Sequence, residues 1–168
     1  VLLYKNAEED ALVDFGNNVI SDNSSFPISI NILNINSLKG DNLYIKNDNE
    51  KIRVTSDLIE GMDLTFHTNS IPYYIDEGSL NNTIRVSNEI YAASSLTIEA
   101  RNTLIFAENT GIDVAGKSTL KILGEANGKV TLKGEEDLPN YWKGIFHKSL
   151  SQTNVIQHTE ISGAASSS

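Results

Sequence analysis

The sequence predicts an all-β protein, with a β-sandwich over residues 1–70 and a parallel β-helix of about three coils over residues 71–168. Three observations carry this reading. Apolar residues alternate with polar ones, as in Ile28, Ile30 and Ile32 with Ser29 and Asn31 between them, which puts one row of side chains on each face of a strand. Turn residues punctuate the chain about every ten positions. In the second half, the segments also begin to repeat one another.

In the first half the strands read "VDFG", "FPISINILNI", "NLYIKN", "KIRVTS" and "DLTFHT". Between them, "LKGDN", "NDNE" and "IEGMD" supply Gly, Asn and Asp, which tolerate the left-handed backbone that tight turns need. Five short strands so spaced suggest a small sandwich. Ala7 to Val13 is the one candidate helical segment, and reads equally as a loop leading into a strand. The stretch from His67 to Gly78 turns polar and carries Pro72, so the domain boundary is placed near residue 70.

Beyond the boundary come "TIRV", "EIYA", "LTIEA", "TLIFA", "GIDVA", "TLKIL", "KVTLK", "GIFHK" and "NVIQHTEIS". Taken three strands at a time they form coils that start at Glu89, Gly111 and Gly144. The first spacing is 22 residues and the second 33, the excess lying in the polar loop "GEEDLPNY". Each coil buries its few apolar side chains only by stacking on its neighbours. The third coil stops in "SGAASSS" without a capping element, so the chain is expected to continue beyond Ser168, or to have its open end covered by a partner or by end-to-end association with a second copy.

Residues 72–168 resemble the right-handed parallel β-helix domains of exported Bacteroidetes-type surface proteins. The likeness lies in "SLTIEARNTLIF", "GIDVAGKSTLKILGEANGKVTL", "WKGIF" and "NVIQHTEISGA". Where that family commonly has Pro-Gly, this chain has Ala100, Arg101 and Asn102, with Asn102 expected to take the unusual backbone angles of the turn. More loosely, "VDFG" and "INSLKGDNLYI" resemble the immunoglobulin-like domains that precede such helices. The resemblance implies a secreted or surface-attached location, including a lipoprotein form.

Composition narrows the classes of function. With 13 basic and 22 acidic residues the net charge is −9, and the basic residues are scattered singly, which argues against a nucleic-acid backbone as partner. The absence of cysteine removes disulfides and thiolate metal sites. The apolar runs fall well short of the roughly 20 residues that span a bilayer as a helix.

The stretch "GIDVAGKS", Gly111 to Ser118, fits the phosphate-binding pattern G-x-x-x-x-G-K-[ST]. That loop works at the N-terminus of a helix, whereas Ile112 and Val114 alternate as in a strand, and Gly124 and Gly128 break up the segment after Ser118. It is read as a solenoid corner, with Asp113 outward, Gly116 at the turn, Lys117 in solvent and no nucleotide bound. The histidines number three, and His147 and His158 near Glu160 form a weak metal-site candidate set against the plain reading of surface imidazoles.

The loop residues Glu135, Glu136 and Asp137 with Tyr141 and Trp142 are the binding candidates: carboxylates suit Ca²⁺, and the aromatic rings suit a sugar, although Trp142 also reads as a packing residue. A pectate-lyase-like site would need clustered Asp beside an Arg or Lys base, and Asp113, Arg85 and Arg101 are read as isolated. The expected function is a non-catalytic module outside the cytoplasm, for adhesion or for binding polysaccharide or another surface protein. The alternative is the front part of a polysaccharide lyase or hydrolase.

Overall fold

The computed structural model describes residues 2–3, 14–78, 82–88 and 93–165, so the strand predicted at "EIYA" and the segment 7–13, a candidate helix or a loop leading into a strand, lie outside the described residues. Among the described residues, seventeen strands, β1–β17 in chain order, build a parallel β-solenoid of about five turns. A long sheet takes β1 (Leu2–Leu3), β3 (Ile28–Asn31), β5 (Ile52–Thr55), β8 (Tyr73–Asp76), β11 (Thr103–Phe106), β14 (Val130–Gly134) and β17 (Thr159–Ser162). The second sheet takes β6 (Leu58–Ile59), β9 (Thr83–Val86), β12 (Gly111–Gly116) and β15 (Ile145–Ser149). The third takes β7 (Asp63–Phe66), β10 (Ser95–Glu99), β13 (Thr119–Leu123) and β16 (Val155–Gln157), and β2 (Val19–Ser21) pairs with β4 (Leu43–Ile45).

Every pairing between these strands is parallel, and the chain visits the long, second and third sheets in turn before starting the next coil. The predicted immunoglobulin-like sandwich is therefore not what residues 14–70 form, because a sandwich joins neighbouring strands antiparallel. Here β3 and β5 lie beside each other and β5 lies beside β8, so residue 70 falls between β7 and β8 while the sheets run on through it. The three predicted coils become about five because the first-half strands belong to the same stack.

Alternation sets the core. In the long sheet Ile28, Ile52, Tyr73, Leu104, Leu132 and Ile161 stand in register. The first five are completely buried and Ile161 is 48% exposed, as Ile156 is at 51% on β16, because among the described residues the coil of β15 to β17 has neighbouring strands on one side only. A second row runs Ile30, Val54, Ile75 and Phe106 and reaches Gly134, which has no side chain to continue it. Trp142 supplies the missing ring by stacking on Phe106 with centroids 4.1 Å apart and planes 10° apart.

The corners of the first coils are fixed by paired asparagines. The Asn18 backbone N–H and side-chain amide both donate to Asn42 Oδ1 at 3.1 and 3.0 Å, and Asn23 Nδ2 donates to Asn47 Oδ1 at 2.7 Å. Asn42 and Asn47 in turn donate to the carbonyls of Phe15 and Ile20, so buried polar groups are satisfied along the stack. The equivalent residues Asp22 and Lys46 share left-handed backbone, φ 57° and 51°. A 3₁₀ turn at Ile32–Ser37 then takes the place of the rest of the predicted "FPISINILNI" strand. Its Asn36 accepts from Thr65 N and donates to Asp63 O, both at 2.7 Å, which covers the free edge of β7 as a strand would.

Candidate functional site

The predicted acidic loop leaves the end of β14 and returns at Trp142. Glu135 is tied down: Lys51 Nζ and the Tyr74 hydroxyl each donate to its carboxylate at 2.8 Å. The Lys51 ammonium also lies 4.9 Å from the centre of the Tyr74 ring, and that ring stacks on Phe26. Burial alone would raise the Glu135 pKa, but the hydrogen bonds from Lys51 and Tyr74 and the lysine charge together outweigh it, and the carboxyl is held below its ordinary value. Burial and the bond to Glu135 push the Tyr74 phenol up. Glu135 is thus a staple between the loop and strands two and three coils away in the long sheet.

Because the folded pKa of Glu135 is lowered, its contribution to stability is complete above the ordinary carboxyl value of 4.5 and fades as the pH falls below it. Glu135→Gln is expected to cost about 0.5–1 kcal/mol near neutral pH, the scale of a partly exposed ion pair. Urea unfolding of both proteins near neutrality and again near pH ~3 checks this, with the gap closing in acid.

Trp142 does not offer its ring to a sugar. It is 1% exposed, and its indole N–H donates to the Ser162 carbonyl at 2.7 Å, so the packing role is the one the structure supports. Glu136 and Asp137 are exposed and Tyr141 is half-buried. Among the described residues no three His, Asp or Glu side chains gather in a way that would hold a metal ion. His158 sits at an exposed corner with φ 44°, and Glu160 is paired with Lys129.

A different surface collects chemistry on the outer face of the second sheet. Register places Arg85 on β9, Asp113 on β12 and Phe146 on β15 side by side; Arg85 and Asp113 each point away from the core between two buried apolar neighbours, and exposed Phe146 continues the row between half-buried Ile145 and exposed His147. Adjacent strands are about 4.8 Å apart, so the row spans roughly 10 Å, wide enough to lie along a sugar ring. With Asn82, Lys143 and Lys148 the row lines a hollow of about 390 Å³. Gly111 helps shape it: a Cβ there would sit 2.9 Å from both Lys143 Cβ and Gly144 O, so glycine lets the Lys143 stem lie close over β12.

The charges in this hollow run against those of the molecule. Three basic side chains, Arg85, Lys143 and Lys148, accompany one carboxylate, Asp113, in a chain of net charge −9. Lys143 and Lys148 make no salt bridge among the described residues. Asp113 Oδ1 is buried and has no hydrogen-bond partner, an arrangement that costs free energy unless something else donates to it. The Phe146 ring is 40% exposed at the hollow's rim.

No family model, curated protein or solved structure matches this chain. The site therefore stands on its own geometry.

Sequence reasoning leaves Arg85 and Asp113 isolated, and the structure corrects this by setting them opposite each other on adjacent coils. The signal is present in the repeat. Laying "TIRV" over "GIDV" over "GIFH" aligns Arg85, Asp113 and Phe146 in one column. The phosphate-loop pattern also finds its place here: "GIDVAGKS" is strand β12 and a corner at Gly116, φ 64°, followed by β13 rather than a helix. Lys117 is exposed, with its backbone N–H donating to Asn88 Oδ1 at 2.9 Å.

Proposed function

We propose that the protein is a non-catalytic module that works outside the cytoplasm, on a cell surface or secreted, and binds a glycan along the side of its solenoid. The observation that carries this reading is the lateral hollow, where the half-exposed Phe146 ring stands beside charged and amide side chains. Aromatic faces pack on the C–H faces of sugars while polar groups bond the hydroxyls, so such a mixture suits a saccharide better than an apolar ligand. A strand-built row also keeps its spacing without a loop having to order on binding.

A glycan array probed with the purified chain, with and without Ca²⁺, tests the proposal. Retention of glycans whose length is unchanged after prolonged incubation is expected. No retained glycan, or shortened chains, would overturn it, and shortening would favour the second reading, a part of a polysaccharide lyase or hydrolase. That reading draws its support from Arg85 standing opposite Asp113, a basic and an acidic group on one wall.

We propose association through the last coil as well. Ile156 and Ile161 continue core rows yet are half exposed there, and β15, β16 and β17 each end their sheet with an unpaired edge among the described residues. Sedimentation across a range of protein concentrations is expected to show a species larger than the monomer, and Ile156→Lys with Ile161→Lys to abolish it.

A further inference from the structure

We propose that the hollow on the second sheet recognises an anionic saccharide, a pyranose carrying a carboxylate or sulfate group, with Lys143 and Lys148 binding the anionic substituent, Phe146 stacking on the ring, and Asp113 accepting a hydroxyl. This rests on the reading of the chain as a glycan-binding module and assigns the class of glycan and the role of each side chain.

Three observations lead to it. The basic residues are concentrated where the rest of the chain is acidic, so the hollow attracts an anion that the remaining surface repels. A plain anion site, however, does not place a carboxylate in its wall. Asp113 lies between Arg85 and Phe146 in the wall of the hollow, so a ligand seated there meets a carboxylate and must offer it a donor as well as bring a negative charge. Sugar hydroxyls are such donors, and inorganic sulfate or phosphate at full charge is not. Finally, Phe146 gives the ligand an apolar face to cover, which a small inorganic anion lacks.

The spacing agrees with these roles. Lys148 stands opposite Ala115, one outward position beyond the Asp113–Phe146 pair, while Lys143 enters from the other side over Gly111. The two lysines therefore flank the row, and a ring lying across Phe146 and Asp113 carries its charged substituent to one side or the other. Asn82, at the β9 end, adds an amide able to bond a further hydroxyl.

Isothermal titration with an oligouronate, a sulfated neutral oligosaccharide and the unsubstituted neutral oligosaccharide tests this on the whole chain. The expected result is binding of at least one charged ligand at least about tenfold tighter than the neutral one, weakened by added salt. Which charged arm binds decides between carboxylate and sulfate. Lys143→Glu with Lys148→Glu is expected to weaken the charged ligand at least about tenfold and leave the neutral one unchanged, and Phe146→Ala to weaken both.

Asp113→Asn separates a saccharide site from simple attraction of anions. If the carboxylate accepts a sugar hydroxyl, this substitution replaces a charged acceptor with a weaker amide oxygen and weakens the charged saccharide severalfold. If charge alone acts, it strengthens binding, because a negative group has been removed. Strengthened binding, or an unchanged affinity in the double lysine variant, overturns the inference. Far-UV circular dichroism confirms folding of each variant, and Lys148→Glu alone, at an exposed position, repeats the charge test without touching the interior. Binding of neutral glycans with no preference for charged ones would sink this inference while leaving the glycan-binding proposal standing. Binding of none would sink both.

Discussion

Trp142→Ala is expected to destabilise the protein by about 3–5 kcal/mol, the range for removing a buried large aromatic ring. Trp142 is the only tryptophan and almost wholly enclosed, and its ring lies flat on Phe106 where the row Ile30, Val54, Ile75, Phe106 meets Gly134. Neighbours cannot close the gap: Gly134 has no side chain to move into it, and Phe106 is held in register by β8 and β14. The cavity term therefore persists beside the lost apolar contact. The indole N–H bond to the Ser162 carbonyl is lost as well, leaving that acceptor in need of water. Trp142→Phe keeps a ring on Phe106 and loses the hydrogen bond and some volume, so a cost of about 1–2 kcal/mol is expected.

The damage should be local. In a solenoid the core of each coil packs on its neighbours, the Glu135 staple being a surface contact, so opening propagates along the axis. Hydrogen exchange measured by mass spectrometry is expected to speed up in Trp142→Ala over β14 to β17 and the loop between Glu135 and Tyr141, and to change little over β3 and β5. Uniform acceleration along the chain would contradict the picture of Trp142 as the plug of one coil boundary.

The inward rows are legible in the sequence because alternation depends only on the strand's two-residue period. Ile28, Ile30, Ile112 and Val114 all fall where that period puts them, and all are buried. Which strand pairs with which is not legible in the first half from alternation, since a short alternating strand reads the same beside an antiparallel hairpin partner or a parallel one a coil away. The decisive signal there is polar. "NVISDN" at 18–23 and "NLYIKN" at 42–47 place asparagines 24 residues apart twice, which is one coil, and those pairs are bonded.

The site is legible only in part for a related reason. Arg85 and Asp113 look unrelated at a separation of 28 residues until the coil is used as the ruler. Trp142 invites a surface reading because it ends a polar loop, and its burial follows from the missing side chain at Gly134. At "EARN" the residue type points to Asn102 as the turn former, but Arg101 takes the left-handed conformation, φ 65°. Asn102 is buried and donates instead to the carbonyls of Phe66 and Glu99 at 2.9 and 3.0 Å, bridging two coils.

Gly124 and Gly128 look alike in sequence and differ in their surroundings, so the same substitution should be costly at one site and nearly neutral at the other. A Cβ at Gly124 would lie 2.2 Å from the His158 carbonyl oxygen and 2.7 Å from that of Gln157, both backbone atoms of the next coil's corner. Those atoms are fixed by the ladder: Gly124 N donates to Gln157 O, and Val130 N to His158 O, at 3.1 Å each. Relief requires the two coils to separate at that corner, so Gly124→Ala is expected to cost about 2–3 kcal/mol. At Gly128 the nearest atoms are Arg101 Cγ at 2.7 Å and Nε at 3.0 Å, parts of an exposed flexible side chain that can swing away. Alanine also restricts the unfolded chain, which favours folding by about 0.4–1 kcal/mol and offsets that small rearrangement. Gly128→Ala should therefore fall within about 0.5 kcal/mol of the parent. Urea unfolding of the two variants side by side checks the contrast; equal costs would mean that the close approach at 124 is not what holds these coils together.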